Sequence, residues 1–319
     1  MLWKIVFSKG DLEMGFFKNR YNELWAGWKI AIVLVAFFVT TFIFTIVISF
    51  AYGILAVLTS GQTDPAALTQ TLMNDDLFIA LSGIMQNVAM IVVVIVFWKV
   101  FDKKPFADMG LSSFRQGSRD LVYGLVLGAV TISVVFVVFL LSGQIIVVND
   151  FLNPNFSWAL LIDLVLMIFV GFGEEMFSRG YCMSVLRRSN VFLIFIVPNL
   201  IFALLHISNQ HFSFLPLINI FLVGALFSLM FFRRGNIWMP IGYHITWNYF
   251  QGSVFGLPVS GNDLNGLYTS KLLSENIFNG GGFGPEGGLL VTFVMVISIA
   301  LFYLLSRKKA TETTTELPM

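Results

Sequence analysis

The chain has a single cysteine, Cys182, only three histidines, and just 12% charged residues in 319. One thiol excludes an internal disulfide and a cysteine-built metal cluster. The scarcity of charge is as informative, because soluble domains carry about a quarter of their residues as Asp, Glu, Lys or Arg. A mean hydropathy of +0.84 and 57% hydrophobic residues therefore make this a membrane protein. The formal net charge is +1, and with neither a basic stripe nor an acidic tail there is no electrostatic footprint for nucleic acid. A cleaved secretory signal is not expected either: mixed-charge residues precede the first apolar run, and that run is too long for a signal core.

What the chain has in abundance is long apolar runs, near 29 to 58, 77 to 98, 121 to 142, 157 to 178, 191 to 207, 213 to 232, 237 to 255 and 288 to 306. Most are near the roughly 20 residues that cross about 30 Å of hydrocarbon. None alternates as barrel strands do, so the expected fold is an all-α membrane protein with eight transmembrane helices. An even number of spans puts both termini on one side. All but two of the 19 Lys and Arg residues fall on that side, the exceptions being Lys271 and Arg179, which marks it as cytoplasmic. Residues 1–28, where Trp3, Phe16, Phe17 and Trp25 sit among charges, suit an interfacial or cytoplasmic segment, a flexible tail being the alternative. Residues 29–309 read as one transmembrane domain and 310–319 as a disordered tail, with a long Gly- and Asn-rich external linker at 256–287 and no internal repeat.

A charged side chain at the bilayer centre costs about 2.5 to 3.5 kcal/mol on insertion scales, so those found there face protein and have work to do. Asp163, Glu174, Glu175 and Arg179 lie on the fourth run, His206 on the fifth, and His244 with Asn248 on the seventh. At about 100° per residue, Arg179 stands roughly 40° around the helix from Glu175 but about 140° from Glu174. Arg179 should therefore pair with Glu175, leaving Glu174 less completely neutralised and suited to act as a general base. His244 and Asn248 share a face, from which both can donate hydrogen bonds to an anion formed in acyl transfer. A buried ion pair that only fixes packing is the alternative for Glu175 and Arg179. Asp163 shares the face of Glu174 or merely sits near the outer interface. His211 reads as solvated, and Gln86, Asn87, Asn199 and Asn219 as interhelical hydrogen-bonding groups.

The segments Glu174-Glu175-Met-Phe-Ser-Arg179, Phe202-Ala-Leu-Leu-His206 and His244-Ile-Thr-Trp-Asn248 resemble the three motifs of the CAAX-protease and bacteriocin-processing (CPBP, or Abi) family, with no motif residue missing. The resemblance covers about residues 120–255. It implies an eight-helix intramembrane endopeptidase in a bacterial plasma membrane, acting on a peptide or protein substrate at the lipid. In that reading Glu174 and His206 activate a water, Glu175 and Arg179 orient the site, and His244 and Asn248 form the oxyanion hole. No cofactor is favoured. Glu174, His206 and His244 could instead supply three ligands of an open zinc site, although the His-Glu-x-x-His helix of zincins is absent. Rival functions are a bacteriocin-immunity or partner-binding protein, and a proton-coupled transporter, against which stands the lack of a repeated half. The sequence carries no signal for substrate identity or oligomeric state.

Overall fold

A computed structural model describes residues 17–19, 23–61 and 63–313, with backbone alone from 307. The elements are α1 (Ala26–Ser60), α2 (Pro65–Met73), α3 (Asp76–Phe97), α4 (Phe114–Leu141), β1 (Ile145–Val147), α5 (Ala159–Glu175), α6 (Met183–Val185), α7 (Val191–Leu204), α8 (Phe214–Arg234), α9 (Trp238–Tyr249), β2 (Ser270–Leu272) and α10 (Leu289–Thr313). π-turns extend three of these helices: Trp98–Asp102 after α3, Met176–Cys182 between α5 and α6, and Phe250–Val254 after α9. The described residues are mostly helical, and a small antiparallel strand pair sets Ile146 of β1 opposite Lys271 of β2.

Among the described residues, five segments are long and apolar enough to cross a membrane: Ala26–Ser60, Asp76–Asp102, Phe106–Leu141, Phe214–Arg234 and Leu289–Ser306. The apolar runs predict eight, and the difference is confined to α5, α7 and α9, which have 17, 14 and 12 residues. Two of them change to π geometry partway through the apolar run, and α7 stops at Leu204, so that His206 lies in a turn and not in a helix. These are the helices that carry the intramembrane polar residues, and π-turns concentrate where a helix has been adapted to a site.

Other boundaries also move. α1 begins at Ala26, and the linker expected at 59–76 contains α2. Asp64 starts α2 by accepting hydrogen bonds from the backbone N–H groups of Ala66 and Ala67, with Pro65 at the first helical position. α10 remains helical to Thr313, into the segment that reads as a disordered tail. Residues 314–319, and 1–16 and 20–22 of the expected interfacial segment, lie outside the described residues.

The setting of α9 follows from glycine. A Cβ on Gly124 or Gly128 of α4 would stand 2.1 Å from the Met239 carbonyl oxygen or 2.3 Å from that of Tyr243, and one on Gly242 of α9 2.3 Å from the Leu121 oxygen. Only bare backbones approach so closely, the device by which membrane helices associate without a hydrophobic driving force. Thr246 Oγ1 adds a 2.7 Å hydrogen bond to the Leu125 carbonyl of α4. His244 is two residues, about 200°, from Thr246, so the clamp turns the imidazole away from α4. On that other side, Gly171 of α5 lets Ile241 and Ile245 of α9 pack close. At the end rich in Lys and Arg, Lys29 pairs with Asp102 at 2.7 Å, and Arg234 pairs with Asp120, which also accepts from Asn236.

Candidate active site

Glu175 and Arg179 are fully buried and paired, with Nη1 2.9 Å from Oε1. The π-turn that begins at Met176 widens the helix without breaking the contact. Arg179 Nη2 donates to the Gly224 carbonyl at 2.9 Å and to Asn199 Oδ1 at 3.3 Å, and Ser228 Oγ donates to the same Asn199 oxygen at 2.9 Å. The guanidinium also lies against the rings of Phe202 and Phe227, at 4.6 and 5.2 Å from their centroids. A fully buried cation is thus held by charge, carbonyls and aromatic faces together, and it fastens α5 to α7 and α8.

The same Glu175 oxygen receives His244 Nδ1 at 3.1 Å. A carboxylate ion-paired to Arg179 can only accept, so Nδ1 carries the proton and Nε2 points onward. Nε2 stands 3.9 Å from Glu174 Oε2, too far for a direct hydrogen bond. Glu174 is the less buried of the two acids, with a 24% exposed side chain, yet its Oε2 is itself buried and unpartnered. The adjacent carboxylates therefore differ in kind: one is fixed and neutralised, the other is uncommitted beside an imidazole.

His206, in the turn after α7, donates through Nδ1 to the Phe202 carbonyl at 2.8 Å, because a carbonyl cannot donate, and its Nε2 is left as an acceptor. The Phe202 ring touches both imidazoles, with centroids 5.1 Å from His206 and 6.1 Å from His244. Asn248, one turn beyond His244, is 7% exposed, and its amide makes no hydrogen bond among the described residues. The structure thus joins Glu175 to both Arg179 and His244, sets Glu174 3.9 Å from His244, reaches His206 through Phe202, and places Asn248 on the face of His244.

Asp163 stands apart, its carboxylate accepting from Ser253 Oγ at 3.1 Å, and His211 is exposed in the turn before α8. Among the described residues no group of three or more His, Cys, Asp and Glu side chains is placed to hold a metal ion. Sequence spacing does not reveal the partnership of Ser228 or of the Gly224 carbonyl with this cluster. Asn199 is legible as a polar residue in an apolar helix, although its partner is not.

Residues 156–250 match a family model described as type II CAAX prenyl endopeptidase Rce1-like. This part of the chain is Rce1-like. The matched segment contains all six of Glu174, Glu175, Arg179, His206, His244 and Asn248, and it agrees with the CPBP resemblance carried by the three motifs. Comparison with curated proteins and with solved structures gave no match. The Rce1-like segment, together with the long apolar helices, makes the chain a multi-pass membrane protein related to proteases.

Proposed function

We propose that this protein is an intramembrane endopeptidase that hydrolyses a peptide bond by carboxylate and imidazole catalysis. Glu174 and Nε2 of His206 take the proton of an attacking water. Glu175, locked by Arg179, holds the imidazole of His244 so that Nε2, protonated in the imidazolium, faces the reacting carbonyl. Asn248 adds an amide donor to the same oxyanion, where donors fixed in a dry cavity lower the barrier most. The observation that carries this reading is the inequality of the two acids: Glu175 is fully buried with its Oε1 bound by both Arg179 and His244, while Glu174 is partly exposed and, among the described residues, its oxygen nearest His244 has no hydrogen bond. A packing pair alone would account for Glu175 and Arg179 but leaves Glu174, His206 and Asn248 with nothing to do.

In this proposal α5, α7 and α9 cross the bilayer beside the five longer helices, and both termini lie on the cytoplasmic side with the Lys and Arg residues. The substrate is a peptide at the membrane, lipid surrounds the chain, and the proposed chemistry uses no metal. The test is comparative proteomics of membranes containing the wild-type protein or Glu174→Ala at equal abundance. Peptide termini present only with the wild-type protein are expected. Identical peptide profiles would refute the proposal.

A further inference from the structure

The external linker at 256–287 reads in the sequence as a Gly-rich connection, but in the structure it is folded against the helices that carry the site. From Asn279 to Gly287 almost every residue is buried. Gly280 and Gly284 take φ of +83° and +91°, and a Cβ on either would stand 2.1 Å from a carbonyl oxygen, so the chain closes into a form open only to glycine. Phe283, 1% exposed, packs on Phe202, Ala203 and Ile220. Beside it lies Glu286, a carboxylate 6% exposed with no cation against it among the described residues.

Three neutral donors satisfy that carboxylate. Trp247 Nε1 donates to Oε1 at 3.1 Å, and the backbone N–H and Oγ of Ser260 both donate to Oε2 at 2.7 Å. Both donor residues lead on to the site, Trp247 through its own helix and Ser260 through two further hydrogen bonds. Trp247 lies on α9 between His244 and Asn248. The Ser260 carbonyl accepts from Asn209 Nδ2 at 2.9 Å, and the Asn209 backbone N–H donates to the His206 carbonyl at 3.1 Å. The Glu286 carbonyl takes Asn219 Nδ2 of α8 at 2.8 Å, which fixes the position of the residue itself.

We propose that Glu286 is a positioning residue for the site, its carboxylate coupling the turn that bears His206 to the helix that bears His244 and Asn248. This rests on the reading of those residues as the hydrolytic machinery. The negative charge is useful because one oxygen can accept from two donors while the other serves a third. The isosteric amide cannot do this: Glu286→Gln must face its NH2 towards either the indole N–H or the Ser260 N–H, and one link is lost.

The experiment uses the full chain in lipid nanodiscs and has two arms. Hydrogen exchange followed by mass spectrometry is expected to show, for Glu286→Gln, exchange at least about tenfold faster in the 206–212 turn if the amide turns its NH2 to Ser260, or in α9 around Trp247 if it turns it to the indole, because one of the two links no longer holds its element. The second arm measures hydrolysis of a fluorogenic peptide copied from a Glu174-dependent cleavage site. There kcat should fall about ten- to a hundredfold with KM little changed, as expected for misplaced catalytic groups. Trp247→Phe, which removes one donor without adding another, should lower kcat in the same sense, and adding Glu286→Gln to it should cost less than in the wild-type background. Unchanged exchange in both the turn and α9, or fully additive losses in kcat, would overturn the proposal. If no Glu174-dependent cleavage exists, the proposed function fails, and the exchange arm still decides whether the coupling is real.

Discussion

Replacing Arg179 by Met nearly keeps the volume of the site and removes its buried guanidinium. The loss would leave the Glu175 carboxylate, fully buried, with His244 as its remaining partner, and it would strip the Gly224 carbonyl of its side-chain donor. Breaking one side of a buried ion pair costs about 3 to 5 kcal/mol because an uncompensated charge remains. Arg179→Met alone is therefore expected to lose at least about 3 kcal/mol, a large part of the roughly 5 to 15 kcal/mol that holds a typical domain together. Glu175→Gln combined with Arg179→Met removes both charges, and the double variant should recover at least about 2 kcal/mol of the summed single losses. The measurement is reversible unfolding of the purified chain in bicelles by SDS titration, followed by tryptophan fluorescence, for the wild type, both single variants and the double variant. Additive losses, or an Arg179→Met variant within about 1 kcal/mol of the wild type, would show that the pair behaves like a surface contact and would refute the account given for it. Recovery of stability without recovery of peptide cleavage is the expected result for the double variant.

Other outcomes follow from the same geometry. Glu174→Gln should abolish cleavage while shifting stability by no more than about 1 kcal/mol, since the side chain makes no hydrogen bond in the fold; a loss of folded protein equal to the loss of activity would count against its role as base. Gly124→Ala would drive a methyl onto the Met239 carbonyl, 2.1 Å away, and should cost about 1 to 3 kcal/mol or more. Gly53→Ala in α1, with nothing within 4 Å, should be neutral or stabilising by up to about 1 kcal/mol, and equal effects at the two sites would contradict the close contact of α4 and α9. Treatment with 1,10-phenanthroline or EDTA should leave Glu174-dependent cleavage unchanged; activity lost to chelation and regained with zinc would reverse the metal-free proposal.

Much of this arrangement is legible in the amino-acid sequence, and the reasons differ from residue to residue. Glu175 and Arg179 are four apart on one helix, as are His244 and Asn248, and local helix geometry alone predicts that each pair shares a face. The apolar runs locate every long helix, because hydrophobic length needs no tertiary information. Illegible are the places where a helix departs from regular geometry: the π-turns after Glu175 and Tyr249, and the end of α7 at Leu204, which leaves His206 in a turn. Such departures are set by partners distant in sequence, as when Arg179 reaches the Gly224 carbonyl across 45 positions. Glu286 escapes a reading of the sequence for the same reason: there it is one acid in a glycine-rich linker, and only the folded chain brings Trp247 and Ser260 to it.

The brevity of α7 bears on a supply problem that any hydrolase in lipid must solve. On the proposed topology the fourteen residues of α7 rise about 21 Å, well short of the roughly 30 Å of hydrocarbon that a spanning helix has to cross. The hydrophilic stretch Ser208-Asn209-Gln210-His211 follows two residues after His206, so the polar boundary dips towards the imidazole instead of passing above it. Hydrophobic mismatch of this kind thins the adjacent bilayer. The second reactant of peptide hydrolysis can then come to the site down a locally lowered interface, with no pore through the bundle.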